Sequence, residues 1–212
     1  MTQVKICGIT TVAEAQFCVD AGADAIGLNF WSGSKRQVSE SVAKEIAAAF
    51  GQHVSVVGVV VDLPPDEVRR LKAQIGFEWV QFHGSESPET VRDFLPTAYK
   101  AIGVQKSDTA ETVIARCENY GVGEVLLDTK VRGGAPGGTG EVFDWAIAAE
   151  VAKTRPLTLA GGLTPQNVAH AIDVVRPYRV DVASGVENET GKKSEQKVRA
   201  FIAAAKASQN DA

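Results

Sequence analysis

The sequence predicts an α/β fold, a single (β/α)8 TIM barrel, from the rhythm in which its strands and helices alternate. Eight short runs rich in β-branched residues each end in polar residues or glycine, and a helical pattern follows each run. The runs start about 25 residues apart, which leaves room for one strand, one helix and two short connections. Such alternation implies parallel strands joined by right-handed crossovers. A closed barrel uses all eight strands, whereas a doubly wound sheet of five or six strands leaves some unexplained.

The strands are predicted where apolar runs meet turn residues, and their ends carry the polar groups. In chain order they are Val4–Cys7, Ala25–Phe30, Val54–Val61, Trp79–His83, Ala98–Gly103, Glu124–Asp128, Leu157–Ala160 and Arg179–Ser184. Capping residues or prolines predict the intervening helix starts at Thr11, Ser39 or Ser41, Pro64, Ser87, Thr109, Asp144, Thr164 and Ser194. Glycine or proline predicts helix ends near Gly22, Gly51, Gly76, Pro96, Gly121, Pro156 and Pro177, and the last helix runs to Ala207.

The composition excludes several classes of function. The chain has 212 residues, 44% of them hydrophobic, and a formal net charge of -4, so we expect one domain over 1–212 with no general affinity for nucleic acid or membranes. No apolar run reaches membrane-spanning length, and the strand beginning at Val4 leaves no room for a signal peptide. Three cysteines without a CxxC pair favour free thiols and a cytoplasmic location. The oligomeric state is left open.

Side-chain alternation along the strands predicts which polar groups face the barrel interior. Active sites of such barrels lie at the carboxyl ends of the strands. Because successive strand residues point to opposite faces, the apolar positions of the first and sixth strands suit the helix-packed exterior. Lys5, Cys7 and Asp128 then point inward. By the same rule His83 and Asp181 face the pocket, where they either contact substrate or make structural hydrogen bonds.

Two glycine motifs predict a phosphate site. Gly161 and Gly162 follow the seventh strand just before a helix, and Ser184 and Gly185 follow the eighth. Exposed backbone N–H groups in such turns hold anions, and loops seven and eight are where these barrels commonly bind phosphate. A purely steric need for glycine is the alternative. The loop at 129–140, with five glycines, suggests either a lid over the pocket or a flexible surface loop.

These residues resemble the phosphoribosylanthranilate isomerase family along the whole barrel. The motifs that carry the resemblance are Lys5–Ile9, Ser34–Arg36 with Val38, Gln81–Gly84, Leu127–Thr129 with the glycine loop and Phe143–Trp145, Leu159–Leu163, and Val180–Glu187. The first motif and the loop after Asp128 are the most specific, because other phosphate-binding barrels share the last two. The chain departs from the family pattern at Lys35, Phe82, Ala183 and Ser194.

The resemblance implies an Amadori rearrangement of N-(5'-phosphoribosyl)anthranilate in tryptophan biosynthesis, without metal or cofactor. Asp128 is then the general acid that protonates the furanose ring oxygen, and Cys7 the base that removes the C2 proton. Arg36 resembles the residue that pairs with the anthranilate carboxylate, a role suited to a planar guanidinium. A free thiol ionises near pH 8.5, so we hypothesise that the positive charge of Lys5 helps to activate Cys7.

Less specific interpretations stand beside these. Cys7 is otherwise an inert buried thiol, Asp128 a helix-capping or loop carboxylate, and Arg36 a solvated surface arginine. The related isomerase of histidine biosynthesis performs the same rearrangement on a larger bisphosphate, but it uses aspartate as base and needs two phosphate sites. A catalytically silent barrel that binds a phosphorylated metabolite is the alternative from another class.

Overall fold

A computed structural model describes residues 1–129, 143–189 and 191–207, and its strands close into one eight-stranded parallel barrel in chain order. The predicted fold class is therefore confirmed. The strands are β1 Gln3–Cys7, β2 Ala25–Asn29, β3 Ser55–Val60, β4 Trp79–Phe82, β5 Ala98–Val104, β6 Val125–Thr129, β7 Leu157–Leu159 and β8 Arg179–Val182. Closure comes from the pairing of β1 with β8, in which Gln3 lies opposite Arg179.

Eight helices alternate with the strands, and most begin at the predicted residue. They are α1 Val12–Asp20, α2 Glu40–Phe50, α3 Pro65–Ile75, α4 Pro88–Arg92, α5 Ala110–Tyr120, α6 Trp145–Ala152, α7 Val168–Val175 and α8 Glu195–Ala207. Thr11, Ser39, Ser87, Thr109 and Asp144 each accept a hydrogen bond from a backbone N–H of the first turn. No described helix is long and apolar enough to cross a membrane.

Two helices are shorter than predicted. The prediction that a helix starts at Thr164 was wrong by about a turn, because Asn167 accepts from the Thr164 N–H and donates to the Gly162 carbonyl. That pair of bonds folds the segment back onto the loop, and α7 begins only at Val168. α4 ends at Arg92, well before Pro96, and the N–H groups of Phe94 and Leu95 bond to carbonyls three residues back instead of four.

The core has two layers, one between barrel and helices and one inside the barrel. Val4 and Ile6 are fully buried against the helices, as the alternation of β1 requires. The inner layer contains Val57, Tyr99 and Leu126, which are also fully buried. These layers hold the strands rigidly, so the side chains at their carboxyl ends have fixed positions.

The amino-terminal end of the barrel is filled by buried polar groups. Arg179 Nη1 lies 3.0 Å from Glu124 Oε1, and the guanidinium also donates to Gln3 Oε1. Thr158 Oγ1 donates to the same Glu124 oxygen at 2.6 Å. This end therefore serves stability, and the open pocket lies at the other end.

Candidate active site

One pocket at the carboxyl ends of the strands contains every site residue predicted from the sequence. The empty space at this site is about 680 Å³, a figure that includes open solvent at the mouth. The predicted residues that line it are Cys7, Arg36, His83, Asp128, Gly161, Gly162, Asp181, Ser184 and Gly185. The structure thus brings together residues from loops one, two, four, six, seven and eight.

Cys7 ends β1 beside a strand that leaves space for its sulfur. Its partner on β2 is Gly27, where an added Cβ would lie 2.8 Å from Cys7 Sγ. Burial raises the pKa of the Cys7 thiol, while the positive charges of Lys5 and Lys193 oppose that rise. The resulting pKa of Cys7 is above the ordinary value, and the two lysines limit the rise.

Lys5 is a fully buried cation held by two acceptors. Its Nζ lies 3.0 Å from Asp181 Oδ1 and 3.0 Å from Gln81 Oε1. Burial favours the neutral amine, but the charge of Asp181 acts against it, and the pKa of Lys5 is raised. Lys5 is therefore charged near neutral pH, as the hypothesis about Cys7 requires. Asp181 is its counterion inside the pocket.

Asp128 lies one residue before the end of β6 and is nearly buried, with a side chain 11% exposed. Its Oδ1 accepts from the Thr129 N–H at 2.7 Å. Its Oδ2 lies 3.5 Å from His83 Nε2, a distance longer than a hydrogen bond of full strength. The carboxyl group is thus oriented by β6 and faces the pocket together with His83.

Arg36 makes an intramolecular ion pair at the pocket. Its Nε and Nη2 contact the two carboxylate oxygens of Glu187 at 2.5 and 3.1 Å. Lys193 Nζ donates to Glu187 at 2.9 Å, and Lys35 Nζ lies 3.7 Å from it. Burial of Glu187 opposes its ionisation, but Arg36 and Lys193 lower its pKa below the ordinary value. The Glu187 carboxylate therefore lies within 4 Å of three cationic side chains. Arg36 also lines the pocket.

The predicted phosphate loops come into direct contact. Gly161 has φ +84°, and a Cβ there would lie 2.5 Å from Thr129 Oγ1. A Cβ on Gly185 would collide with the Leu163 carbonyl oxygen of loop seven. Both glycines are thus required by close backbone approach. The structure adds a 3₁₀ turn at Ser184–Val186, which the strand predicted to Ser184 did not include.

Three functional candidates were missed or undervalued by sequence reasoning. Gln81 lies between Lys5 and His83, although alternation alone indicated only that it faces inward. Glu187 ends the motif Val180–Glu187, but the motif does not indicate that this carboxylate pairs with Arg36. Lys193 is 6% exposed, yet its position in a polar loop resembles that of a solvated lysine, so no pattern in the sequence identifies it.

The described residues include no group of three His, Cys, Asp or Glu side chains placed to hold a metal ion. The predicted lid falls mainly on residues 130–142, which lie outside the described residues. All three cysteines are free thiols. The chemistry available in the described part of the pocket is consequently that of a thiol, a carboxyl group, an imidazole and nearby cations.

Comparisons with known proteins agree over almost the full chain. The family model described as N-(5'phosphoribosyl)anthranilate (PRA) isomerase matches residues 4–204. A protein of Desulforudis audaxviator (strain MP104C) named N-(5'-phosphoribosyl)anthranilate isomerase is 46% identical over 202 residues, 95% of this chain and 97% of the relative. The crystal structure of phosphoribosyl anthranilate isomerase from Thermotoga maritima is similar with a TM-score of 0.87 and 40% identity, covering 98% of this chain and 100% of that one.

A second solved structure bears on the ligand. It is a phosphoribosyl anthranilate isomerase in complex with reduced 1-(o-carboxyphenylamino)-1-deoxyribulose 5-phosphate. Its TM-score is 0.84 at 38% identity, with 98% of this chain and 100% of that chain covered. That neighbour binds a phosphorylated small molecule.

Proposed function

The chain belongs to the N-(5'-phosphoribosyl)anthranilate isomerase family and is an aldose–ketose isomerase of tryptophan biosynthesis; we propose that Cys7 is its general base and Asp128 its general acid. The family expected from the sequence motifs is confirmed. The observation that carries the proposal is that both residues face one pocket, from strands β1 and β6, which are separated by β7 and β8. Such a placement lets an acid and a base act on two atoms of one bound molecule.

The proposed reaction begins with two proton transfers. Asp128 donates its proton to the furanose ring oxygen, the C1–O bond breaks, and the anthranilate nitrogen supplies the electron pair that forms an iminium ion. Cys7, as thiolate, then removes the C2 proton, and the electrons of that C–H bond neutralise the iminium nitrogen. The resulting enolamine becomes the aminoketone when C1 receives a proton and the C2 hydroxyl loses one. A net transfer of one proton from the Cys7 thiol to the Asp128 carboxylate then restores the base and the acid. The substrate nitrogen is the electron sink, so the reaction as proposed uses no metal or cofactor.

The remaining pocket groups are proposed to bind the substrate. Arg36 is proposed to hold the anthranilate carboxylate, since two of its nitrogens are anchored on Glu187 and the guanidinium still lines the pocket. The turns at Gly161–Gly162 and Ser184–Gly185 are proposed to hold the phosphate through backbone N–H groups. His83 and Asp181 line the same pocket.

The sequence analysis left two other functions open: the isomerase of histidine biosynthesis and a catalytically silent barrel. Membership of this family argues against the histidine-pathway isomerase, and Cys7 occupies the place where that enzyme is expected to carry an aspartate. A thiol base must be reduced to act, which together with three free cysteines supports our proposal of a cytoplasmic protein with one domain. The catalytically silent barrel is the alternative that the following experiment addresses.

Turnover of N-(5'-phosphoribosyl)anthranilate by the purified protein tests the assignment. We expect Cys7→Ala and Asp128→Asn each to lower kcat roughly 10²- to 10⁴-fold, the usual contribution of one acid or base, with little change in KM. Cys117→Ala and Asp173→Asn are matched controls, because Cys117 is buried against the outer helices and Asp173 is exposed on α7. Inactive wild type, or full activity in both site variants, would show the proposed mechanism to be wrong.

A further inference from the structure

The hydrogen bonds that begin at Lys5 determine which way the Gln81 side chain points. An ammonium group can only donate, so the Gln81 atom 3.0 Å from Lys5 Nζ must be the carbonyl oxygen Oε1. Tyr99 Oη donates to the same oxygen at 3.0 Å. All three side chains are buried, with exposures of 0–1%. The amide of Gln81 therefore has one orientation.

That orientation determines where the proton of His83 lies. With Oε1 facing Lys5, the amide nitrogen Nε2 of Gln81 lies 2.7 Å from His83 Nδ1. An amide nitrogen carries hydrogens and no available lone pair, so His83 Nδ1 must be the acceptor. A neutral imidazole that accepts at Nδ1 carries its proton on Nε2.

The proton of His83 then points toward the proposed acid. His83 Nε2 lies 3.5 Å from Asp128 Oδ2, and the other oxygen of Asp128 already accepts from the Thr129 N–H. We propose that His83 is a positioning residue for Asp128, held as the Nε2–H tautomer by Gln81 and Lys5. The inference rests on the proposed function of Asp128, and it replaces direct substrate binding as the role of His83.

The tautomer matters because Asp128 is negatively charged after it has donated its proton. An Nε2–H group stabilises that carboxylate and keeps Oδ2 aimed into the pocket. The opposite tautomer would present a lone pair to the carboxylate and repel it. When substrate is bound, the 3.5 Å distance between His83 Nε2 and Asp128 Oδ2 needs to shorten by only about 0.5 Å to reach ordinary hydrogen-bond length.

Imidazole nitrogen NMR measures the tautomer directly, because protonated and bare ring nitrogens differ in chemical shift. The chain has three histidines, and the loss of one set of signals in His83→Asn assigns His83. At a pH of about 8, where imidazole is ordinarily neutral, we expect Nε2 protonated and Nδ1 bare. Gln81→Glu supplies a carboxylate acceptor at Nδ1, so we expect Nδ1 to become protonated in that variant. A protonated Nδ1 in wild type would overturn the proposal.

Two amide substitutions separate positioning from substrate binding. Gln can reach the place of Nε2 and donate to Asp128, whereas Asn reaches only the place of Nδ1. We expect His83→Asn to lower kcat roughly tenfold to a hundredfold, part of the contribution of a general acid, and His83→Gln to lower it much less. KM is expected to stay within about threefold of wild type in both variants, because the effect lies on the chemical step.

The outcomes distinguish the positioning role of His83 from the proposed function of Asp128. A raised KM with unchanged kcat would assign His83 to substrate binding and overturn the positioning role, as would equal losses of kcat in the two variants. His53→Gln, exposed at the opposite end of the barrel, is the matched control. Inactive wild type with the Nε2–H tautomer present would instead contradict the proposed function of Asp128, and with it the catalytic half of this inference.

Discussion

Opposing influences act on the pKa of the Cys7 thiol, which we propose to be the general base. Burial raises its pKa, and the nearby ammonium groups of Lys5 and Lys193 act against burial. Lys5 lies on the same strand, whereas Lys193 lies in loop eight, so the positive environment is assembled only in the folded barrel. The Asp181 carboxylate, which raises the pKa of Cys7, is the counterion of Lys5 and limits its effect.

Removing Lys5 should make Cys7 harder to ionise. We predict that Lys5→Met moves the pH profile of Cys7 alkylation to higher pH, because the thiolate loses a neighbouring positive charge. Lys193→Met should move it in the same direction. The measurement is the rate of iodoacetamide labelling of the Cys7 peptide against pH, by mass spectrometry.

The control for this prediction is Lys44→Met, an exposed lysine of α2 that should leave the profile in place. Lys5→Met also leaves Asp181 buried without its cation, at a cost of about 3–5 kcal/mol, so circular dichroism must show a folded protein at each pH. Unmoved profiles in both pocket-lysine variants would contradict the proposed activation of the thiol.

The arrangement around Glu187 gives an acidic protein a cationic pocket mouth. The formal net charge is -4, but Glu187 contacts Arg36, Lys193 and Lys35 at once. Three positive charges around one negative charge leave the mouth positive. An anionic substrate is thus attracted locally, although the overall charge would repel it.

Among the elements, the loops after β7 and β8 are constrained by close approach of their backbones to neighbouring loops. Gly161 needs a positive φ and close contact with Thr129, and Gly185 lies against the Leu163 carbonyl. These two constraints hold the loops at a fixed separation. The backbone geometry that we propose to bind phosphate is consequently present before a ligand arrives.

A pair of glycine substitutions should separate the cost of backbone strain from the proposed role in phosphate binding. Gly161 and Gly76 both have positive φ, +84° and +88°, but a Cβ on Gly76 would have no neighbour within 4 Å. We predict that Gly161→Ala and Gly76→Ala each lose about 1–2 kcal/mol of unfolding free energy from backbone strain, with an added loss at Gly161 from contact with Thr129. Only Gly161→Ala should raise KM, about tenfold. Urea unfolding and steady-state kinetics measure both, and a similar rise in KM for Gly76→Ala would contradict a local phosphate role.

The elements show what a single sequence can predict and where it fails. Each strand boundary lies within two residues of its prediction, because a parallel strand buried on both faces is a continuous apolar run ended by polar residues. The 3₁₀ turn at Ser184–Val186 and the late start of α7 at Val168 have no periodicity to reveal them. Their geometry depends on backbone and Asn167 contacts that form only after folding.

The site residues likewise divide into those that the sequence predicts and those that it does not. Strand alternation placed Cys7, Asp128 and Asp181 in the pocket, because the rule that side chains alternate has few exceptions within a strand. The contacts of Lys193 and Glu187 join separate loops across the barrel mouth. Alternation along one strand carries no information about such pairs, which is why the sequence alone did not identify them.

At the scale of the whole molecule, stability and activity occupy opposite ends of the barrel. The buried Arg179–Glu124 pair lies at the amino-terminal ends of the strands, and their side chains are 4% and 8% exposed. The pocket lies at the carboxyl ends. Substitutions at the first end should therefore affect unfolding without affecting the chemical step.

Arg179→Met tests this separation. We predict a loss of about 3–5 kcal/mol of unfolding free energy, because Glu124 is left buried without its cation, while kcat at 25 °C changes less than about twofold. The double variant Arg179→Met/Glu124→Gln should regain part of the loss, because it removes the isolated charge. Urea unfolding and steady-state kinetics provide the measurements; a large fall in kcat in folded Arg179→Met would show that the two ends are coupled.

Closure of the barrel through β1 and β8 has a consequence for the newly made protein. Lys5 and its counterion Asp181 are separated by 176 positions in the chain, so a chain still on the ribosome and lacking β8 has neither the ion pair nor the loop that carries Ser184. Its first strand then offers an unpaired edge, which can join strands of other nascent chains. That edge is covered only when β8 emerges and pairs with β1.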